Sequence, residues 1–357
     1  MTHSKDLIKV LIVDDSAFMR KILTDIINSD PNLMVVGFAR NGNEAIEKRK
    51  SLQPDIITMD VEMPIMNGIE ALKFIMKNNP LPVVMLSSLT ADGAEATMTA
   101  LDLGAVDFIQ KPSSVFHINA EEMKWELTDK IKAAAKAKIL KKFTDEGIIS
   151  ESIIYKIGTR RKSSSKNRII TIGTSTGGPK ALQAVIPLLP ADIPASILIV
   201  QHMPPGFTRS LAERLDTISQ ITVKEAENGE KILPGVAYVA PGDQHLEIEK
   251  RVNECYIRLS NSDPVSGHRP SVDVMFNSVA ELQQEKVLAV IMTGMGSDGA
   301  MGLKELKDRK NAPVIAQDEE SCVVYGMPKS AVKIGVVDEI VPLNKIANAI
   351  LNRLEVL

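Results

Sequence analysis

The chain lacks the features that mark several large classes of protein. Two cysteines in 357 residues, Cys255 and Cys322, build neither a disulfide framework nor a zinc cluster. Aromatic residues are 4% of the chain, with a single tryptophan, too sparse for the stacking platforms of a single-strand binder. No stretch approaches the roughly 18 consecutive apolar residues of a spanning helix. The N-terminus turns acidic at Asp14-Asp15 after a short apolar run, unlike a secretory signal. Charge of one sign is also missing. With 42 basic and 45 acidic residues the net charge is −3, which disfavours nucleic acid or anionic lipid as the main partner. A cytoplasmic protein without a transmembrane segment is expected.

The composition is that of a globular protein, with 44% hydrophobic and 24% charged residues. The length suggests about two domains, each large enough for its own core. The 16 methionines fall mostly within apolar runs, where they fill core space.

Up to about residue 120, short apolar runs alternate with amphipathic stretches. Residues 9–13, 33–39, 55–59, 82–86 and 106–109 read as strands. Met19, Ile22, Leu23, Ile26 and Ile27 mark a helix between the first two. Such βα repetition predicts a doubly wound parallel sheet over residues 5–120. Residues 121–167 read as a linker, helical and then flexible. Met123, Leu127, Ile131, Ala135, Ile139 and Phe143 recur every four residues, with lysines opposite. That helix is either a solvated connector or a coupling and docking surface. From 144 to 167 the chain is polar, ending in Arg160-Arg161-Lys162 and serines, as in a flexible linker. At 168–357 a second α/β domain is expected. Its strands are 169–172, 196–200 and 287–292, a helix covers 181–189, and a hairpin-like antiparallel insert spans 232–257.

Ligands of open α/β sheets bind at the carboxyl ends of strands. In the first domain these ends carry Asp14 and Asp15, Asp60, Ser87 and Lys111. Clustered carboxylates call for a hard cation, and Mg²⁺ suits them because it keeps waters free for phosphate oxygens. A carboxylate beside it can attack a phosphoryl donor, with Lys111 neutralising the transferred charge and Ser87 donating a hydrogen bond. Isolated, each aspartate reads equally as a helix cap.

In the second domain Gly173-Thr174-Ser175-Thr176-Gly177 satisfies G-x-S-x-G between a strand and a helix. Taken alone, the turn serves a nucleophile or a phosphate-binding loop equally well. His202 and Asp298 follow two other buried-strand signals, so the three side chains converge at one sheet edge. His202 then serves as base for Ser175, and Asp298 orients the imidazole. The order Ser…His…Asp differs from that of the α/β-hydrolases. His245 and His268 lie in polar turns and read as structural, and His3 and His117 lie outside this domain. Asp273 is a rival orienter, although Ser271-Val272-Asp273 reads as a helix start.

These motifs carry a resemblance. Leu11-Ile12-Val13-Asp14-Asp15, Met59-Asp60-Val61-Glu62-Met63-Pro64, Met85-Leu86-Ser87-Ser88 and Lys111-Pro112 resemble a response-regulator receiver domain. The resemblance implies Asp60 as phosphoacceptor. It implies Mg²⁺ held by Asp15, Asp60 and the Glu62 carbonyl, with Asp14 acting through water. It also makes Phe108 a hydroxyl-free aromatic switch, where core packing is the simpler reading. Gly173–Pro179, Gln201-His202-Met203-Pro204-Pro205-Gly206-Phe207, His268-Arg269-Pro270-Ser271-Val272-Asp273 and Thr293-Gly294-Met295-Gly296-Ser297-Asp298-Gly299 are similar to the catalytic domain of the chemotaxis methylesterase family. That similarity implies Ser175, His202 and Asp298 as a triad, with Thr176 and the Met295 N–H at the oxyanion. It further implies glutamyl methyl esters of chemoreceptors as substrate, with glutamine deamidation as an additional activity. A chemotaxis histidine kinase would be the phosphodonor. A DNA-binding output or a nucleotide-binding output are the readings left beside it.

Overall fold

The computed structural model describes residues 7–88, 90–111, 120–137, 168–283 and 285–356. The polar stretch 144–167, Ile139, Phe143, His3 and His117 lie outside the described residues.

The first domain alternates β1 (Ile8–Val13), α1 (Ala17–Asn28), β2 (Leu33–Ala39), α2 (Gly42–Leu52), β3 (Ile56–Asp60), α3 (Gly68–Asn78), β4 (Val83–Ser87), α4 (Ala91–Leu103), β5 (Asp107–Gln110) and α5 (Ala120–Ala135). The strands are parallel in the order β2-β1-β3-β4-β5. Side chains alternate across the sheet. Leu11, Val13, Ile57, Met59, Met85 and Phe108 face α2, α3 and α4. Val10, Ile12, Ile56, Val84 and Leu86 face α1 and α5. The helices start at side-chain caps: Ser16, Asn41, Asn67 and Thr90 each accept a backbone N–H of the first turn.

Helix α5 begins where the four-residue periodicity begins. Leu127 and Ile131 are fully buried in the same cluster as Val10 and Ile12, so α5 packs as part of this domain rather than as a solvated connector. Two of its lysines are also engaged: Lys132 pairs with Asp30 and Asp129, and Lys130 with Glu126.

The second domain runs β6 (Arg168–Thr174), α6 (Gly178–Val185), β7 (Ser196–Gln201), α7 (Phe207–Ile218), β8 (Thr222–Glu225), β9 (Val236–Val239), β10 (His245–Arg251), β11 (Glu254–Ser260), α8 (Val272–Ala280), β12 (Lys286–Ile291), α9 (Ala300–Lys310), β13 (Val314–Gln317), α10 (Met327–Lys333), β14 (Glu339–Val341) and α11 (Ile346–Val356). Seven strands form a parallel sheet in the order β14-β13-β12-β6-β7-β9-β8. The expected hairpin over 232–257 is corrected. Val236–Val239 pairs with β7 and β8 inside the main sheet, and the hairpin is β10–β11, seven residue pairs beginning at His245. Pro234-Gly235 leads into the parallel strand Val236–Val239 rather than turning a hairpin.

Candidate functional site

Two sites form, each at a point where strand order reverses. In the first domain this lies between β1 and β3. Oxygens of Asp14, Asp15 and Asp60 all come within 4.8 Å of one another. Lys111 Nζ lies 2.8 Å from Asp14 Oδ2 and 2.6 Å from Asp60 Oδ2. Burial pushes the Asp60 carboxyl up to about 6 even though Lys111 pulls it down. An open pocket of about 580 Å³ stands over this cluster, lined by Asp15, Asp60, Glu62, Ser88 and Lys111 among others. Three converging carboxylates and a site this open fit a hard divalent cation with oxygen ligands and room for water. Ser87 is buried, and its hydroxyl donates to the Gly93 carbonyl at 3.0 Å; the β4-end residue lining the pocket is Ser88.

In the second domain the reversal lies between β12 and β6. The turn after β6 carries Ser175, half-buried at the sheet edge. Its N–H donates to Thr293 O (3.0 Å), and its carbonyl accepts from Gly178 N–H (2.7 Å) and Gln201 Nε2 (3.0 Å). Gly177 has φ +77°, and a Cβ there would meet Val323 Cβ at 2.6 Å, so only glycine turns the chain this sharply. A Cβ on Gly294 would lie 2.8 Å from Ser175 Cβ, which sets the backbone before Met295 directly against Ser175.

His202 follows β7, whose Gln201 is in register with Thr174 of β6, so His202 and Ser175 are the next residues along neighbouring strands. His202 Nε2 lies 2.8 Å from Asp298 Oδ2. Its Nδ1 is buried without a hydrogen-bond partner. The ring is therefore used in the sense opposite to that of the serine-protease template, in which Nδ1 meets the aspartate.

Asp298 is the most heavily solvated carboxylate of the site, but by protein. Oδ1 accepts from Ser271 Oγ (2.8 Å), Asp273 N–H (3.0 Å) and Gly299 N–H (3.0 Å), and Oδ2 from Val272 N–H (2.7 Å) besides His202. Ser271 is the N-cap of α8, so the carboxylate sits on the positive end of that helix. Burial alone would raise its pKa, but His202 and the backbone donors hold it below the usual carboxylate range. Asp273, the rival orienter, lies in the first turn of α8, and its side chain accepts from Gly302 N–H at 2.6 Å. Burial pushes Cys255 up to about 11 and Cys322 up to about 12, which keeps both as protonated thiols.

The two sites are joined. Thr176 Oγ1 donates to Asp107 Oδ2 of β5 at 2.7 Å, and both groups are buried. The Phe108 ring packs 4.5 Å from Phe207, the first residue of α7, and Arg214 pairs with Asp102 at 2.9 Å. One apolar cluster runs from Met85 and Phe108 into Phe207 and Leu211. Asp107 and the contacts of α5 carried no sequence signal. Ser271 was legible as a cap but not its aim at Asp298. His268, read from the sequence as structural, lies against the site: its ring stacks on His202, with centroids 3.8 Å apart and planes 15° apart.

Comparison with known proteins agrees with this division. Residues 170–350 match the CheB methylesterase family and residues 10–122 the response regulator receiver domain. A protein-glutamate methylesterase/protein-glutamine glutaminase of Halalkalibacterium halodurans is 51% identical over 97% of this chain and 98% of its own. One of the same name from Bacillus subtilis is 46% identical over 96% of this chain and 98% of its own. The crystal structure of the Thermotoga maritima CheB methylesterase catalytic domain matches with TM-score 0.52 at 46% identity, covering 53% of this chain and all of that one. No helix among the described residues is long and apolar enough to cross a membrane. The DNA-binding and nucleotide-binding outputs weighed from the sequence are set aside. The two matched domains, with these relatives along nearly its whole length, place the chain in the CheB methylesterase family, an enzyme with a receiver domain ahead of its catalytic domain.

Proposed function

We propose that the protein hydrolyses glutamyl methyl esters on the cytoplasmic helices of chemoreceptors and that phosphorylation of Asp60 releases this activity. The observation that carries the reading is the alignment of Ser175, His202 and Asp298 on neighbouring strand ends, with a buried acceptor nitrogen left open on His202. Ser175 Oγ attacks the ester carbonyl and gives its proton to His202 Nδ1, while Asp298 holds the Nε2 proton and stabilises the charged ring. The oxyanion takes hydrogen bonds from Thr176 and the Met295 N–H. The methoxide leaves as methanol with the proton from His202. Water then enters, gives a proton to His202 and attacks the glutamyl-serine ester. The carboxylate is freed, and Ser175 recovers its proton. The same steps on a glutamine side chain release ammonia, in keeping with the second activity in the relatives' name.

The domain contact supports the regulatory half. With Thr176 bonded to the buried Asp107 carboxylate, a negative charge already sits where the oxyanion has to be stabilised. In the receiver, Asp15, Asp60 and the Glu62 carbonyl would hold Mg²⁺, with Asp14 acting through water. The ion supplies charge neutralisation for a phosphoryl group on its way to Asp60. Lys111 pairs with that group, and Phe108, packed against Phe207, links the receiver to α7. A chemotaxis histidine kinase is the phosphodonor. Phosphorylation then shifts the equilibrium away from the docked form.

The test is methanol release from methylated chemoreceptor membranes, with and without Mg²⁺ and a small acyl phosphate. Release rises with both present and falls back when Mg²⁺ is chelated. Asp60→Asn keeps the basal rate and loses the rise. Trp125, the only tryptophan, lies 5.9 Å from His268 across the contact, so its emission changes with the same dose dependence in the wild type and stays constant in Asp60→Asn. Absence of methanol release from a folded, phosphorylated protein sinks the reading.

A second expectation concerns the lock itself. Asp107→Ala removes the acceptor of a charge-assisted hydrogen bond worth about 1.5–3 kcal/mol. The basal rate rises about tenfold, the phosphorylated rate stays within about twofold, and the ratio between them shrinks. An unchanged basal rate would show that this bond does not hold the docked form.

A further inference from the structure

We propose that His268 is a positioning residue for hydrolysis, a flat plate that fixes the plane of the His202 ring while that ring exchanges its proton. The inference rests on the Ser-His-Asp reading above and goes beyond it to a residue outside the triad. The two imidazoles are stacked, with centroids 3.8 Å apart and planes inclined by 15°.

The need for such a plate follows from how His202 is held. Its hydrogen bond to Asp298 fixes one ring atom. Rotation about that bond stays free unless something meets the ring face, and Nδ1 swings with it. Proton transfer from Ser175 depends on where Nδ1 points, and a displacement of about 1 Å costs on the order of 100-fold in rate. A second ring against the face removes that rotation.

His268 is itself firmly held. Its N–H and carbonyl both pair with Val265, at 2.9 and 3.1 Å. The next residue, Arg269, is pinned to Asp243 Oδ1 (2.6 and 2.9 Å) and to the carbonyls of Asn261 and Ser262. Two residues further on, Ser271 caps α8 and donates to Asp298. The segment 268–273 thus holds the base by its face and its carboxylate partner by both oxygens. The plate also stays uncharged. Burial pushes His268 down to about 3; His202 and Lys130 act in the same direction and Asp298 against them. A neutral ring neither repels the protonated His202 nor competes for its proton. Trp125 of α5 reaches the same ring, so the docked receiver leans on the plate.

The experiment uses the full chain treated with Mg²⁺ and a small acyl phosphate. Methanol release from methylated chemoreceptor membranes is measured for wild type, His268→Ala, His268→Phe and Ser175→Ala. His268→Ala lowers kcat about 10- to 100-fold with KM within about twofold. His268→Phe, flat and non-titrating, restores kcat to within about threefold of wild type. In ¹⁵N-histidine-labelled protein, His202 gives one tautomer, protonated on Nε2, in wild type and His268→Phe, and an averaged signal in His268→Ala. A His268→Ala enzyme with wild-type kcat and an unchanged His202 signal overturns the proposal. So does a Phe variant as impaired as the Ala variant, which would require a chemical role for the imidazole. Release that persists in Ser175→Ala instead defeats the triad reading. The tautomer signal, which needs no turnover, still reports on His268 in that case.

Discussion

Ser175→Ala lowers methanol release by on the order of 10⁵-fold, in both the phosphorylated and the resting enzyme. The substitution removes one atom. Ser175 is held through its backbone, by Thr293 O, Gly178 N–H and Gln201 Nε2, and all three bonds survive in alanine. Its Oγ makes no hydrogen bond among the described residues, so stability changes by no more than about 0.5 kcal/mol. What remains is the site's ability to bind and polarise the ester for direct attack by water, a residual effect that is orders of magnitude smaller than covalent catalysis. The measurement is single-turnover methanol release at saturating receptor, beside a thermal melt and an assay of phosphoryl transfer to Asp60. The melt and the phosphorylation are unchanged because Asp60 sits in the other domain, at the end of β3. Release within 100-fold of wild type would rule out an acyl-serine route.

Asp298→Asn costs about 10⁴-fold in kcat and also destabilises the domain. Asp298 is purely an acceptor, and five donors point at its two oxygens. An asparagine amide has to place its NH₂ on one side. Set toward His202, it meets Val272 N–H and forces the imidazole into the tautomer protonated on Nδ1, which cannot accept from Ser175. Set toward α8, it meets the N–H groups of Asp273 and Gly299. Either arrangement leaves buried donors facing a donor, at about 1–3 kcal/mol. A pH dependence accompanies the loss. The folded-state pKa of Asp298 is depressed, so its contribution to stability is complete above the ordinary carboxylate range and disappears as pH falls through the lower folded value. The wild type therefore loses more stability than Asp298→Asn between about pH 5 and the acid limit. Denaturant titrations of both proteins at several pH values measure this. Parallel curves would mean that Asp298 carries no special stabilisation.

The site was legible from sequence to the extent that it is built from strand ends. A parallel strand buried on both faces must be apolar along its length, so β1, β3, β4, β6, β7 and β12 stand out as short apolar runs, and whatever follows them lands on one edge. That placed Asp14, Asp15, Asp60 and Lys111 together, and Ser175, His202 and Asp298 likewise. Strand β9 escaped because it is four residues long and sits between Pro-Gly pairs that read as turns. Helix α5 was recognised by its period, but a period states only that one face is apolar, not which domain buries it.

His268, Ser271 and Asp107 mark the boundary of such reading. His268 and Ser271 stand in or beside a turn, where polar residues need no special reason, and Asp107 is a polar first residue of the strand β5. Their roles come from partners 66 to 27 positions away or in the other domain: His268 from His202, Ser271 from Asp298, Asp107 from Thr176. The sequence by itself determined two parallel sheets, the edge on which each one does chemistry, and the residue types gathered there, because burial of strands and the handedness of their connections leave few other arrangements. Only the tertiary structure decided the orientation of the His202 ring, the donors that keep Asp298 ionised, and the docking of the receiver's Asp107 on Thr176. Those depend on side-chain directions at about 3 Å between segments that no local pattern couples.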